Sequence, residues 1–288
     1  MLKNQNRDKQ LDNSSLKSPT RFTCRMCASE QYTTVISYEK WLKVAKDSRD
    51  GRRAIANILE RTNDLLFGDI VTCSKCDLCS IKNSIAPDAL NDFYQNYYVN
   101  SNYASKRNSK INQATRRLQR LPNLSSAKTF LDVGCNQGFA VEAANRLGLI
   151  STGIEIDEDA LQYAKANFSH NEFICKDICC FSEENRKFDI IYCSEVLEHA
   201  IDFRSFAKNI VACLADNGYL FLTTPDVGHF RTPRNLLNWA EIKPPEHVTW
   251  FRKKHMEMLF SPLGLEVALQ FNLKPGIRMV GQKKATSS

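Results

Sequence analysis

Two groups of residues in this 288-residue chain have types and spacing suited to chemistry. The first is Asp132-Val133-Gly134-Cys135-Asn136-Gln137-Gly138, in which a short apolar run closes on an acid and a glycine, with a second glycine four residues later. Gly134 can turn the backbone with φ > 0, and Gly138, lacking a Cβ, lets a helix and a ligand come close. Glu155 follows 21 residues after Gly134, at the end of a second apolar run. A doubly wound sheet presents an acid at that spacing to a ribose, whose two vicinal hydroxyls match the two oxygens of a carboxylate. The second group is Cys24-Arg25-Met26-Cys27 with Cys73-Ser74-Lys75-Cys76, two C-x2-C pairs with 45 residues between them. Together they offer four thiolates to a tetrahedral Zn²⁺, a closed set that leaves no position for a reactive water. The alternative is a set of unmetallated thiols.

The elements that must position these residues read as α/β. Thr129–Val133 is long enough for a buried parallel strand, and Ala140, Ala143, Ala144 and Leu147 then repeat as one helical stripe. The run ending at Glu155 is the second strand, and Asp157 opens a helix carrying Leu161, Ala164 and Phe168. Further strands are expected at Glu172–Cys175, Phe188–Cys193, Tyr219–Thr223 (after an Asn217-Gly218 turn), Glu266–Asn272 and Ile277–Gln282. Helices are expected from Phe203 to Leu214 and over Lys253–Phe260. Between Pro225 and Thr249 lies an insert of 25 residues, long enough to suggest substrate recognition. At the front, Ile55, Ile58, Leu59, Thr62 and Leu66 predict one helix between the cysteine pairs, and Cys79 falls on a strand, Leu78–Ile81. Ser105–Leu121 predicts a basic amphipathic helix that Pro122 ends, its arginines either solvated or able to hold a phosphate.

The stretch Phe130 to Phe139 resembles motif I of the class I S-adenosylmethionine-dependent methyltransferases. Asp132 stands at the acidic position and Gly134 and Gly138 at the outer glycines. Asn136 replaces the middle glycine and tolerates left-handed geometry. A dehydrogenase turn, G-x-G-x-x-G, would need glycines where Asn136 and Phe139 stand. The resemblance runs from about Lys128 to Gln282 and implies a Rossmann-like, doubly wound seven-stranded sheet. It also implies a cofactor site made of Asp132, Gly134, Cys135, Asn136, Gly138, Glu155, Ile156, Asp177, Ile178, Ser194 and Glu195. In that pattern Asp177 faces the adenine amino group, and Ser194 and Glu195 lie near the methionine end. Phe188 to His199 is similar to the family's fourth-strand motif ending in Leu-Glu-His, and Glu246 to Phe251 to its Glu-His segment before the last helix. His247 is thereby the preferred general base, with loop packing as the alternative, while His199 is either a base or a loop-holding group.

The paired cysteines, Ala86-Pro87 and the aromatic run from Phe93 to Tyr98 look like a front module found on a subset of these enzymes, many of them associated with sugar or surface-glycan biosynthesis. The domains expected are a disordered tail (1–19), a zinc-ribbon-like module with a helical insert (20–90), an aromatic and basic linker or lid (91–127) and the catalytic domain (128–288). Tyr94, Tyr97, Tyr98 and Tyr103 serve as a substrate lid or as interdomain packing. The expected reaction is methyl transfer to a small polar acceptor, a nucleotide-linked sugar or other glycan precursor, which can carry phosphate.

Hydrophobic residues make up 43% of the chain, enough for a large core, and no apolar run approaches the roughly 18 residues of a membrane span. Eleven cysteines without a leader suit reduced thiols, hence a soluble, cytoplasmic protein. Residues 1–128 hold 22 Lys and Arg against 12 acids, and residues 129–288 hold 17 against 20. The basic front keeps open an RNA methyltransferase, although no nucleic-acid-binding motif accompanies it. A zinc-stabilised, non-catalytic cofactor-binding scaffold is the third reading. Oligomeric state is not legible.

Overall fold

The computed structural model describes residues 22–60, 67–83, 85–86, 89–90, 93 and 104–285. The N-terminal tail, the four tyrosines of the expected lid, and Thr62 and Leu66 lie outside the described residues. The front begins with strand β1 (Tyr32–Ile36), which the sequence reading missed, and helices α1 (Tyr38–Lys46) and α2 (Gly51–Leu59). Two helices stand where one was expected because each has its own cap. The Ser37 hydroxyl accepts from Lys40 N, and the Asp50 carboxylate accepts from Arg52 N, restarting the helix there. Strands β2 (Ile70–Cys73) and β3 (Cys79–Ile81) follow, with Cys79 on its expected strand.

Helix α3 (Arg107–Leu118) lies within the expected basic segment and buries Ile111, Ala114 and Leu118. Then come β4 (Thr129–Val133), α4 (Phe139–Arg146), β5 (Ile150–Glu155), α5 (Glu158–Asn167) and β6 (Glu172–Cys175). After them come the short α6 (Ile178–Ser182), β7 (Phe188–Ser194), α7 (Phe203–Cys213) and β8 (Leu214–Pro225). Strand β8 starts five residues earlier than expected. The Asn217-Gly218 turn survives inside it as an irregularity, Asn217 having φ 60° while the register shifts between Phe188 and Ile190. The chain ends with β9 (Thr249–Trp250), α8 (Lys253–Phe260), β10 (Leu265–Leu269) and β11 (Gly276–Lys283).

Two sheets result. The larger has the order β10-β11-β8-β7-β4-β5-β6 and is parallel except where β11 runs antiparallel to both β8 and β10. Strand order reverses at β4, the switch point whose strand ends open onto ligand in such sheets. The smaller sheet, β1-β2-β3-β9, is antiparallel, and its last strand comes from the C-terminal half.

Three apolar clusters hold these layers. Leu131, Val133, Ile191, Cys193 and Leu222 pack one face of the large sheet against Phe203, Phe260 and the cysteine knuckles. Phe130, Tyr192 and Phe221 pack the other face against Ile111, Leu118 and Val141 of α3 and α4. Trp41, Ile55 and Phe67 of the front pack with Trp239 and Ile242 of the insert and with Trp250 of β9. Among the described residues no helix is long and apolar enough to cross a membrane.

Candidate active site

At the C-terminal end of β4 the backbone turns through three left-handed residues, Gly134 (φ 71°), Asn136 (φ 47°) and Gly138 (φ 77°). Asn136 takes the conformation expected of it, its Oδ1 accepting from Gln137 N at 2.8 Å. Both glycines are also steric necessities. A Cβ on Gly134 would stand 2.6 Å from Val196 Cγ2, and one on Gly138 2.7 Å from the Phe173 ring. The turn is tied to β5 by Gly134 N and Cys135 N, which donate to Ile154 O at 2.9 and 3.0 Å.

Glu155 ends β5 and folds back over this turn. Its Oε2 accepts from Asn136 N at 2.9 Å, and its Oε1 from Ile156 N at 2.7 Å and Asp157 N at 3.2 Å. Burial pushes its carboxyl up, opposed by those backbone donors. Asp132 is 4% exposed. Burial, with the Glu155 charge nearby, drives it well above the usual carboxylate range. Two acids therefore meet at one mouth, and a ligand bringing hydroxyls and positive charge fits them. Asp177 caps α6, its Oδ1 accepting from Cys180 N at 2.7 Å, with Ile178 buried behind it.

Over the ends of β7 and β8 a polar chain runs across the strands. Arg117 of α3 donates to Tyr192 Oη at 2.6 Å and to Ser194 Oγ at 3.1 Å. Ser194 Oγ lies 2.8 Å from Thr223 Oγ1, which donates to Glu195 Oε1 at 2.8 Å. Glu195 has φ 60° and is exposed. Arg117 looked like one of several solvated arginines. Its neighbour Arg116 is exposed, but Arg117 adjoins the buried Leu118 and turns inward.

Behind this chain the two candidate histidines meet, His199 from the turn after β7 and His247 from the insert. Their rings are 4.7 Å apart and nearly perpendicular. His247 is 2% exposed, and its Nδ1 donates to Glu241 O at 3.0 Å. The His199 side chain keeps 21% exposure. Glu198, fully buried and not singled out from the sequence, lies between them: its Oε1 is 4.0 Å from His199 Nε2 and 3.9 Å from His247 Nε2. Its Oε2 accepts from Thr224 Oγ1 at 2.9 Å, while Oε1 has no hydrogen-bond partner among the described residues. Burial brings His199 down to about 3, moves His247 well below its ordinary value and raises Glu198 well above its own.

The insert is fixed by the cysteine region. Four sulfurs, from Cys24, Cys27, Cys73 and Cys76, lie within 4.8 Å of one another, with Cys24–Cys76 and Cys27–Cys73 each at 3.6 Å. A tetrahedron with metal–sulfur bonds of about 2.3 Å has edges of about 3.8 Å, so the donor set fits Zn²⁺. Arg25, inside the first knuckle, donates to Ile201 O at 2.9 Å and to Val248 O at 3.2 Å, the carbonyls just beyond His199 and His247. Arg204 returns bonds to Arg25 O and Met26 O, and His255 Nε2 lies 2.8 Å from Cys76 O.

A family model described as a methyltransferase domain matches residues 103–270. A ubiquinone biosynthesis O-methyltransferase of Coxiella burnetii is 36% identical over 101 residues, 34% of this chain and 43% of that enzyme. The corresponding protein of Actinobacillus pleuropneumoniae is 33% identical over 119 residues, 37% of this chain and 50% of that enzyme. The matches thus span half or less of these curated relatives. Among solved structures, an O-methyltransferase family protein from Burkholderia thailandensis shares the fold at a TM-score of 0.51 and 15% identity, over 63% of this chain and 59% of that one. A SAM-dependent methyltransferase from Archaeoglobus fulgidus does so at 0.51 and 14%, over 64% of this chain and all of its own. With its glycine turn at the switch point of a seven-stranded sheet and the family match over most of that unit, the chain belongs to the class I S-adenosylmethionine-dependent methyltransferases.

Proposed function

We propose that the chain catalyses methyl transfer from S-adenosylmethionine to a small polar acceptor bound over the ends of β7 and β8. The observation that carries this is the mouth formed by Asp132, Glu155 and the left-handed turn. In this reading Gly134, Cys135, Asn136 and Gly138 cradle the cofactor, and Glu155, with Ile156 beside it, takes the ribose hydroxyls. Asp177 and Ile178 flank the adenine, and Ser194 and Glu195 border the methionine end. The sulfonium supplies an already activated methyl group when bound.

The protein's work is then to hold the acceptor in line and to accept its proton. The burial of His247 favours its neighbour as base: the His199 side chain keeps an exposed edge and is neutral at pH 7, the form that accepts a proton. His247, anchored on Glu241 O, positions His199. The four cysteines hold a structural Zn²⁺ that locks the insert through Arg25. The units are a cysteine module over residues 20–90, a linker over 91–127 and the catalytic domain over 128–288.

The finer acceptor, a nucleotide-linked sugar or glycan precursor, rests on the front module's resemblance. The names of the sequence relatives favour a second class, a quinol-type hydroxyl. Calorimetry with S-adenosylmethionine and NAD, followed by transfer of labelled methyl to sugar nucleotides, dihydroxybenzenes and RNA, tests the whole reading. Tight binding of the first ligand alone supports it, and folded protein that ignores S-adenosylmethionine refutes it.

A further inference from the structure

Arg278 stands on β11 directly opposite Thr223 of β8, on the face that carries Tyr192 and Phe221. Directly opposed residues in a sheet have Cβ atoms about 5 Å apart, so its guanidinium begins beside the Thr223–Ser194–Glu195 chain. Its Nε is buried, and among the described residues it has no hydrogen-bond partner. Arg117 reaches the same place from α3, its guanidinium 5.6 Å from the centre of the Phe221 ring. Lys110, two turns earlier on α3, is half-buried, and Arg120 adds a fourth cation. Burial and the charges of Arg117 and Arg120 push Arg278 down, and burial and Arg117 do the same to Lys110, which Glu195 opposes.

Cations gathered this way repel one another, and a half-buried guanidinium whose Nε has no hydrogen-bond partner among the described residues is a cost to folding. Arginine forks match planar or tetrahedral oxyanions, giving paired charge-assisted hydrogen bonds. The cluster is also at the acceptor's end. Strands lie about 4.8 Å apart, so β11 is about 14 Å from β4 and about 19 Å from β5, where Asp132 and Glu155 stand.

We propose that Arg117 and Arg278 form a subsite for an oxyanion, a carboxylate or phosphate group, carried by the methyl acceptor. The assignment rests on the reading above that the acceptor binds over β7 and β8. It selects acid-bearing acceptors over neutral ones of the same shape.

The test is calorimetry of inorganic pyrophosphate and of benzoate, at constant ionic strength, on the full chain saturated with S-adenosylhomocysteine. Wild type is compared with Arg278→Met and Arg117→Gln. At least one probe is expected to bind wild type and to bind each variant about tenfold or more weaker, as loss of a charged hydrogen bond implies. S-adenosylhomocysteine affinity should stay within about twofold in Arg278→Met, whose melting temperature should not fall because a half-buried charge has been removed. Probe binding unchanged in both variants, or absent from wild type, overturns the subsite. Probe binding to free protein that S-adenosylhomocysteine abolishes also overturns it, since the arginines would then serve the cofactor's own carboxylate. Failure of S-adenosylhomocysteine to bind wild type overturns the functional reading itself and, with it, the acceptor assignment.

Discussion

Replacing Glu155 by Ala separates a structural contact from a binding contact. The carboxylate accepts three backbone hydrogen bonds, from Asn136, Ile156 and Asp157. Truncation strands those donors, and with water able to reach part of the site the loss of stability should be about 2 kcal/mol. Binding should suffer separately. Two ribose hydroxyls donating to one carboxylate are worth about 3 kcal/mol together at the low end of charged hydrogen bonds, a loss of about two orders of magnitude in affinity. Because a loosened turn would also weaken binding, the decisive measurement is a cycle. Methylthioadenosine and its 2′-deoxy analogue are titrated into wild type and Glu155→Ala by calorimetry. Wild type should discriminate between them by about tenfold, and the variant should not. If the deoxy penalty survives in Glu155→Ala, the carboxylate does not hold the ribose, however much overall affinity falls.

Gly138→Ala and Gly148→Ala share a left-handed φ, 77° and 88°, but only the first puts a Cβ against an aromatic ring, the second meeting open space. Urea unfolding should show about 1 kcal/mol lost at Gly148, from backbone geometry alone, and at least twice that at Gly138; equal losses would remove the close-approach argument. Stripping metal with a chelator, or the Cys27→Ser and Cys76→Ser changes, should lower zinc content, melting temperature and methyl transfer together. Full transfer by zinc-free protein would disconnect the cysteines from the insert. Burial holds His199 at about 3, against about 6.5 in the unfolded chain, so between those values the unfolded state binds more protons and stability falls as pH drops. From pH 7.5 to 5 this group alone should cost about 2 kcal/mol, and His199→Asn should lose about that much less; equal losses in urea unfolding would show that His199 is not buried neutral.

Local signals carried much of the fold. Strand β4 has the bounds its apolar run dictates, and Asn136 stands in the left-handed turn because its short amide tolerates what most side chains do not. The site is less local. Cys24, Cys27, Cys73 and Cys76 converge as their spacing suggested, but nothing in Thr249-Trp250 announces that it completes the cysteine sheet, because a two-residue strand has no periodicity to read. Arg117 was hidden among like residues, and only the register of α3 against β7 and β8 turns it inward. Glu198 sits in a short turn, where sequence patterns do not tell buried acids from wet ones. The insert, expected to recognise substrate, is built into the fold as a clasp, with Trp239, Ile242 and Val248 buried in one cluster with the front helices.

The pairing of β3 with β9 sets an order of events during synthesis. Cys79 leaves the ribosome about 170 residues before its partner Trp250, and at 5–20 residues per second the wait is roughly ten to thirty seconds. Throughout that time the β3 edge is bare, with backbone groups that another nascent chain could pair. Assembly of the small sheet is therefore a late step, gated by translation of the insert. A fragment halted before residue 249 would expose this edge permanently, so aggregation of nascent chains should fall abruptly once Thr249 and Trp250 have emerged.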